Sequence, residues 1–220
     1  MARQTRVVCI LLGSSAALPG EPALRTAYRK QRAAAARVLR ERLDGDEQEH
    51  VAVHGGADRA VLAYCAAHYT QWRAESFDLA YGAFGENLVL DGLDERSTCI
   101  GDVYRVGTAV LEVSVPRTPC ETISRATGVS GLYERVLATG RTGWLHRVLE
   151  EGELTEGAGL VRLARPHPDW TVERAADVMA RMRALEPAIA PDARALAGLP
   201  ALATRWREKL RERADEAFRQ

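Results

Sequence analysis

The clearest strand pattern in the chain lies in residues 84–120, FGENLVLDGLDERSTCIGDVYRVGTAVLEVSVPRTPC. It contains three short apolar runs, at 87–90, 103–106 and 109–115, and the first two end at the turn-forming pairs Asp91-Gly92 and Gly107-Thr108. In the third run every second residue is apolar, which is the period of a strand. Short strands joined by glycine-containing turns at this spacing indicate a β-barrel or a β-sandwich.

In the rest of the chain, apolar periodicity and the positions of glycine and proline predict further elements. The segment 24–43 contains an alanine run and favours a helix by intrinsic propensity. Beyond Pro166 the apolar residues keep helical spacing, and Pro187 and Pro191 break the chain around a short helix. The other predicted elements are a strand at 7–12, a loop at 13–22, a strand at 51–53, a helix from about 60 to 72, and a β pair near 143–148 and 160–163.

These elements predict an α+β chain that is mainly β. We expect a barrel-like domain at residues 1–165, with its core at about 43–163 and flanking helices, followed by a small three-helix domain at 166–220. Met179 and Trp206 lie on apolar stripes of the predicted helices. They pack inside the helical unit, which is the interpretation we favour, or they form a surface that docks another protein.

The composition excludes several classes of protein. The 220 residues are 46% hydrophobic and 27% charged, which is typical of a globular chain, and 30 basic side chains balance 30 acidic ones. A dedicated nucleic-acid-binding protein would carry a positive excess. A membrane span would need about 18 consecutive apolar residues, which the sequence lacks. We therefore expect neither nucleic acid nor a membrane as a partner.

Charge is nevertheless distributed unevenly along the chain. Residues 1–43 carry nine basic and two acidic side chains, whereas residues 44–100 carry three basic and eleven acidic ones. The basic excess indicates either a solvated helix face or a positive wall that faces an anionic ligand.

The four cysteines, Cys9, Cys65, Cys99 and Cys120, are dispersed and include no C-x-x-C pair. This spacing is not typical of a structural zinc site, so we expect reduced thiols and a cytoplasmic protein. Residues 1–20 resemble a signal peptide in outline. Their apolar run at 7–12 is six residues long, however, and a signal-peptide core has roughly 7 to 15.

The first candidate site is His54-Gly55-Gly56-Ala57-Asp58. Two glycines after a strand let the backbone approach a ligand closely, and a helix that starts next would direct free N–H groups at an anion. The alternative is a plain strand-to-helix turn. His50 and His54 do not suggest a metal pair, because four residues of a strand span about 13 Å.

The second candidate site is Phe84-Gly85-Glu86-Asn87-Leu88. At the start of a strand, the Asn87 amide is able to face the donors and acceptors of a heterocycle. Asparagine is equally common in turns, and this segment alone favours a structural role.

The third candidate site is Pro116-Arg117-Thr118-Pro119-Cys120, directly after the best alternating strand. The two prolines fix φ and so restrict the conformations of Cys120. Arg117 would favour its thiolate, which ligates soft metals or attacks electrophiles. The alternative is a buried, inert thiol, which is also our expectation for the other three cysteines.

In this order, the motifs resemble the MOSC domain family, named after the C-terminal part of molybdenum cofactor sulfurases, and specifically its YiiM-like subgroup. The residues that carry the resemblance are Leu43-Asp44-Gly45-Asp46-Glu47-Gln48, the segment 54–61, the segment 84–88, Ile100-Gly101-Asp102 and the segment 116–120. The resemblance continues through Gly143-Trp144 into the helical tail, and it covers nearly the whole chain.

The resemblance implies a barrel-like fold that binds a pyranopterin molybdenum cofactor, with Cys120 as the metal ligand and catalytic residue. It also implies cofactor-binding residues on the matching motifs and in an early segment, 26–30, whose lysine approaches the cofactor phosphate. These residues are Lys30, His54, Gly55, Gly56, Asp58, Glu86, Asn87, Arg117 and Thr118.

The activity implied by the resemblance is the two-electron reduction of N-hydroxylated compounds, such as hydroxylaminopurines and amidoximes, to the parent amine or amidine. The partners would be a small N-hydroxylated substrate and a separate electron-donor reductase, since four dispersed cysteines offer no iron–sulfur cluster motif. A homodimer is left open.

Two other functions stay open at this point. One is a non-catalytic cofactor-binding protein or a sulfur carrier that holds a persulfide on Cys120. The other is a cysteine hydrolase, which would need a histidine beside Cys120, drawn from His54, His68, His146 and His167.

Overall fold

A computed structural model of the chain describes residues 5–49, 55–217 and 219. Its strands are β1 (Arg6–Leu12), β2 (Ala16–Leu18), β3 (Glu21–Thr26), β4 (Gln31–Ala33), β5 (Ala35–Leu39), β6 (Arg42–Leu43), β7 (Val61–Cys65), β8 (Leu88–Asp91), β9 (Val103–Val106), β10 (Ala109–Pro116), β11 (Trp144–Glu150), β12 (Gly152–Thr155) and β13 (Leu160–Ala164). Its helices are α1 (Ala66–Ala74), α2 (Thr122–Thr127), α3 (Leu132–Thr139), α4 (Val172–Arg183), α5 (Ala190–Ala197) and α6 (Thr204–Ala217), and short 3-10 turns lie at Ala57–Arg59 and Pro187–Ile189.

Eight strands form one sheet, in the order β13-β9-β10-β11-β7-β8-β1-β4. Strands β7 and β8 pair in parallel. The sheet curls until the start of β1 meets the segment before β13: Arg6 bridges Gly159, and the backbone N–H of Val7 donates to the carbonyl of Ala158 (2.9 Å). Together with the helices, this closure confirms the predicted α+β fold with a barrel-like core.

Strand β10 is buried at seven of its eight residues. It lies between β9 and β11 in the sheet, and helix α4 contacts it from outside the barrel. Apolar side chains on both faces of the strand are therefore removed from water, which strongly favours this register. The strand ends at Pro116, so the 116–120 loop starts from a rigid position.

The C-terminal helices share their hydrophobic core with the barrel. Val178 on α4 belongs to the same cluster of buried residues as Val113 on β10. The backbone N–H of Ala203, just before α6, donates to the carbonyl of Ser114 on β10 (3.0 Å). The predicted helical tail is confirmed, and its separation from the barrel at residue 166 as a domain of its own stays a prediction.

The predicted helix over 24–43 is wrong, and the predicted loop at 13–22 is in part a hairpin. The segment forms β3 to β6, and β2 pairs with β3. Ala33 pairs with Ile10 of β1, and Ala35 pairs with Thr155 of β12. Alanine is a good helix former, but side chains of β5 are alternately exposed and buried. Pairing with neighbouring strands outweighs helix propensity here.

The prediction of a helix from 60 to 72 is wrong for the first part of this segment and correct for the second. Its first part is β7, inserted between β11 and β8 with four of its five residues buried, and the helix α1 begins only at Ala66. A fully buried strand has no clear alternation, which is why its sequence was open to a helical interpretation. The predicted strand at 51–53 lies outside the described residues.

The strands predicted around 87–90, 103–106, 109–115, 143–148 and 160–163 are all present as β8, β9, β10, β11 and β13. None of the helices in the described part of the chain is both long and apolar enough to cross a lipid bilayer.

Candidate functional site

A cavity of about 570 Å³ opens beyond the end of β10. Its lining includes the 24–30 segment, the 46–49 segment, residues of the 84–87 segment, the 116–120 loop, the end of α4 and the first turns of α6. This volume lies in the range of cofactor and small-molecule sites, roughly 300 to 1,000 Å³.

Cys120 lines this cavity and is half-buried, whereas Cys9, Cys65 and Cys99 are buried elsewhere. Burial raises the pKa of Cys9 and of Cys65 to about 11. These two groups therefore stay protonated thiols at neutral pH, as predicted for inert core cysteines. Of the four, Cys120 is the thiol placed to react with or ligate a group in the cavity.

The loop that carries Cys120 is held by Gly143 at the start of β11. The backbone N–H of Arg117 donates to the carbonyl of Gly143 (3.1 Å). Gly143 has φ +77°, and a Cβ there would lie 2.4 Å from the carbonyl oxygen of Ala63. Only glycine fits this close approach of three backbone segments. The carbonyl of Cys120 accepts from the N–H of Ile123 (3.1 Å), which joins the loop to α2.

Arg117 is 8% exposed and lines the cavity. Its Nη2 donates to the hydroxyl oxygen of Tyr28, and its Nη1 has no hydrogen-bond partner among the described residues. A buried guanidinium donor without an acceptor is costly. The cavity therefore offers one cationic donor to an acceptor on a ligand.

Tyr28 is a site residue that the sequence reasoning missed, although it lies in the 26–30 segment. Burial raises the pKa of its hydroxyl well above the ordinary value, against the lowering effect of Arg117, and the neighbouring Cys120 raises it further. The ring packs on Gly85, where a Cβ would lie 3.3 Å from it and where φ is +71°. The sequence signal for Tyr28 was its place two residues before Lys30.

Lys30 and Asn87, which we predicted to bind the cofactor, both line the cavity, but both already have protein partners. Lys30 Nζ forms a buried ion pair with Asp46 Oδ1. Asn87 Nδ2 donates to Asp46 Oδ2 (2.8 Å), and Asn87 Oδ1 accepts from the N–H of Leu62 (3.0 Å). These side chains therefore form a rigid wall, and the charge of Lys30 is matched within the protein.

Glu86 lies behind this wall and does not line the cavity. Its carboxylate accepts from the hydroxyl of Tyr69 and from the backbone N–H groups of Gly82 (2.7 Å) and Phe84 (3.1 Å). Complete burial raises the pKa of Glu86. Glu86 therefore has a structural role: its carboxylate stabilises the 82–86 turn.

Gly55, Gly56 and Asp58 border a second cavity, of about 510 Å³, rather than the first. Asp58 Oδ1 accepts from Arg147, and Asp58 Oδ2 accepts from the N–H of Thr204 at the start of α6 (2.9 Å). The predicted helix after the two glycines is a single 3-10 turn, so the expected helix N-terminus is absent there. His54 lies outside the described residues.

Thr118 lines the first cavity and connects it to the helical tail. Its Oγ1 accepts from Nη2 of Arg183, the last residue of α4 (3.1 Å). Trp206 and Lys209 of α6 complete this wall. Trp206 is buried in the shared core, like Met179, and its edge also reaches the cavity. The tail therefore forms one side of the site.

The charges that line the cavity are predominantly positive. Seven basic and three acidic side chains line it, which gives a formal charge of +4 for the described lining. The basic residues are Arg25, Lys30, Arg59, Arg117, Arg183, Arg205 and Lys209, and the acidic ones are Asp46, Glu47 and Glu49. Of the basic residues at 1–43, only Arg25 and Lys30 belong to this lining. The other explanation of the basic excess, a solvated helix face, does not apply because this segment forms strands.

The histidines within the described ranges, His68, His146 and His167, do not line the cavity. His68 Nε2 instead pairs with Glu95 (2.6 Å) in the interior. The described residues also include no group of three or more His, Cys, Asp or Glu side chains placed to hold a metal ion. A metal at Cys120 would therefore take most of its ligands from a small molecule.

Comparison with known proteins gives consistent matches. Residues 50–161 match the model of the MOSC domain. The uncharacterized protein YflK of Bacillus subtilis is 44% identical over 137 residues, 62% of each chain, and a protein named Reductase from Gibberella moniliformis is 42% identical over 126 residues, 54% of this chain and 22% of that protein. The match thus spans less than two thirds of either relative. The crystal structure of YiiM from Geobacillus stearothermophilus superposes with a TM-score of 0.78 and 29% identity, covering 96% of this chain and 99% of that one.

Proposed function

Because the chain belongs to the MOSC domain family, we propose that it is a molybdenum-cofactor-dependent reductase of N-hydroxylated compounds. The observation that carries the proposal is the position of Cys120: a half-buried thiol on a proline-flanked loop that lines a positively charged cavity of cofactor size. A thiolate is a soft ligand suited to a metal that bonds covalently to sulfur.

The residues present fit a pyranopterin molybdenum cofactor. Such a cofactor is an anion with a phosphate group, and four basic side chains line the cavity outside the C-terminal helices: Arg25, Lys30, Arg59 and Arg117. The unpartnered Nη1 of Arg117 fits an acceptor on the cofactor. In this proposal Cys120 ligates the metal, Arg117 and Thr118 bind beside it, and Lys30 and Asn87 keep the opposite wall rigid.

When bound, the cofactor would supply two electrons, which with two protons convert an N-hydroxyl compound to the amine, or an amidoxime to the amidine, and one water. The protein fixes the position of the thiol through Pro116, Pro119 and the contact with Gly143. The Tyr28 hydroxyl accepts from Arg117 and lies beside Cys120, so it links the guanidinium to the thiol.

The electrons would come from a separate reductase, because the described cysteines do not cluster. The fungal relative supports a link to redox chemistry: it is named a reductase, and most of its length lies outside the matched segment. Four free thiols fit a reducing compartment, so we place the activity in the cytoplasm.

The test is an assay with chemically reduced viologen as the electron donor and benzamidoxime or 6-hydroxylaminopurine as the substrate. We expect Cys120→Ala to lose activity by about a hundredfold or more, because it removes the metal ligand. Cys99→Ala removes a buried thiol that does not line the cavity, and it should retain activity.

Two results would overturn the proposal: no turnover by wild-type protein that contains molybdenum, or unchanged turnover by folded Cys120→Ala. A cyanide-labile sulfur on Cys120 without turnover would support the sulfur-carrier alternative instead.

A further inference from the structure

The wall of the cavity that comes from the C-terminal helices holds several positive charges close together. Arg183 closes α4, and Arg205 and Lys209 follow each other by one turn on α6. Two of these cations lie near the indole ring of Trp206: its centroid is 5.2 Å from Arg183 Cζ and 5.4 Å from Lys209 Nζ. Cation–π attraction to one ring thus holds two like charges beside the cavity.

Arg183 and Lys209 form no ion pair with a carboxylate in the described part of the chain. The hydrogen bond of Arg183 goes to a neutral hydroxyl, that of Thr118 (3.1 Å). This differs from the opposite wall, where the charge of Lys30 is matched by Asp46. Arg183 and Lys209 therefore give this wall two positive charges that no ion pair within the described residues neutralises.

The like charges of this wall repel one another. Burial lowers the pKa of Lys209, and repulsion from Arg183, Arg213 and Arg205 lowers it further, while Glu212 acts in the opposite direction. Burial also lowers the pKa of Arg183. An anion bound between these side chains would remove the repulsion, so the wall favours a negatively charged ligand.

We infer that Arg183, Arg205 and Lys209 form an anion subsite that binds the phosphate group of a substrate. Resting on the proposed function, this assigns the substrate class: a phosphate ester of an N-hydroxylated compound, such as an N-hydroxylated purine nucleotide. In the proposed function the cofactor takes the unpartnered donor of Arg117 on the 116–120 loop. The three cations of the C-terminal wall are left for a second anionic group, which we assign to the substrate and not to the cofactor.

The first test measures binding to cofactor-free protein, with adenosine 5′-monophosphate as the charged probe and adenosine as its neutral counterpart. Isothermal titration should show that the monophosphate binds at least about tenfold more tightly than adenosine, because charge-assisted hydrogen bonds to phosphate strengthen binding. The double variant Arg183→Gln/Lys209→Gln should lose about this tenfold preference.

The matched control is Arg105→Gln/Arg162→Gln. It removes the same charge from β9 and β13, where both side chains are exposed and do not line the cavity, and it should keep the preference. A second variant, Arg183→Lys/Lys209→Arg, keeps both charges beside Trp206 and should retain at least part of it. Equal binding of the two probes to wild-type protein, or an unchanged preference in folded Arg183→Gln/Lys209→Gln, would overturn the anion subsite.

The second test distinguishes the two sources of phosphate by using protein loaded with molybdenum cofactor. We expect the Gln double variant to keep its molybdenum and to show a higher KM for the phosphorylated substrate only. Loss of molybdenum from that variant would show that the wall binds the cofactor phosphate and would overturn the assignment to the substrate. Because the first test needs no metal and no turnover, its outcome is independent of the proposed reductase activity.

Discussion

Arg117 carries a charge that the protein itself satisfies only in part. One end of its guanidinium is bonded to Tyr28, and Nη1 is left without an acceptor within the described residues. Buried polar atoms without a partner are rare in native structures and need an explanation. A ligand in the cavity that accepts from Nη1 would supply it. At the scale of single residues, this orphaned donor and the Cys120 thiol three positions away are the strongest signs of a site.

His146 on β11 provides a prediction about stability. It is almost completely buried, its Nε2 accepts from Trp144 Nε1 (3.3 Å), and burial lowers its pKa from 6.5 to about 4. The unfolded chain binds this proton first as the pH falls. The stabilising contribution is therefore complete above pH 6.5 and is lost between pH 6.5 and 4, by about 3 kcal/mol at most.

The measurement is urea unfolding of wild type and His146→Gln at pH 7 and pH 4. Glutamine keeps a donor and an acceptor but does not titrate. The free energy of unfolding of wild type should therefore fall relative to that of the variant by about 3 kcal/mol as the pH is lowered. A difference that stays constant with pH would show that His146 is not held neutral by burial.

Some single residues could be identified from the sequence and others could not. Cys120 and Arg117 follow from a local motif, because two prolines and a strand end are visible in the sequence itself. Tyr28 could not be found in this way, since its partner Arg117 is 89 positions away. Asn87 was identified as a lining residue, but its engagement by Asp46 depends on a contact across 41 positions.

At the scale of elements, prediction succeeded where strand alternation or a turn was explicit. The apolar runs bounded by glycine-containing turns correctly predicted strands β9 and β10. The helix prediction for 24–43 is wrong because alanine favours a helix in isolation, whereas β4 and β5 are stabilised by pairing with β1 and β12. Such pairing depends on residues that are distant in the sequence, so the local sequence of a strand indicates it only weakly.

The packing of α4 on β10 provides a prediction about cooperativity. Because both elements contribute to one hydrophobic core, we expect them to unfold together. In native-state hydrogen exchange, the most protected amides of α4 and β10 should show opening free energies within about 1 kcal/mol of each other. Exchange of α4 to α6 at a clearly lower free energy would instead support an independent helical domain at 166–220.

At the scale of the whole molecule, the cavity is assembled from segments that are far apart in sequence. The 26–30 segment, the 116–120 loop and the 183–209 segment each supply one side of it. The sequence motifs therefore identified Cys120 as a site residue and indicated the family. The positive wall formed by the helical tail is visible only in the three-dimensional structure. This wall is the reason that we treat the tail as part of the site.

The proposed function requires that Cys120 ligates molybdenum in this cavity, and the molybdenum content of the purified protein shows whether it does. Wild type and Cys120→Ala are produced in a host that makes the cofactor, checked for folding by circular dichroism, and analysed by inductively coupled plasma mass spectrometry. We predict close to one molybdenum per wild-type chain and a decrease of about tenfold or more in the variant. Equal molybdenum in both proteins, or none in wild type while another molybdenum protein from the same cells is loaded, would contradict the claim.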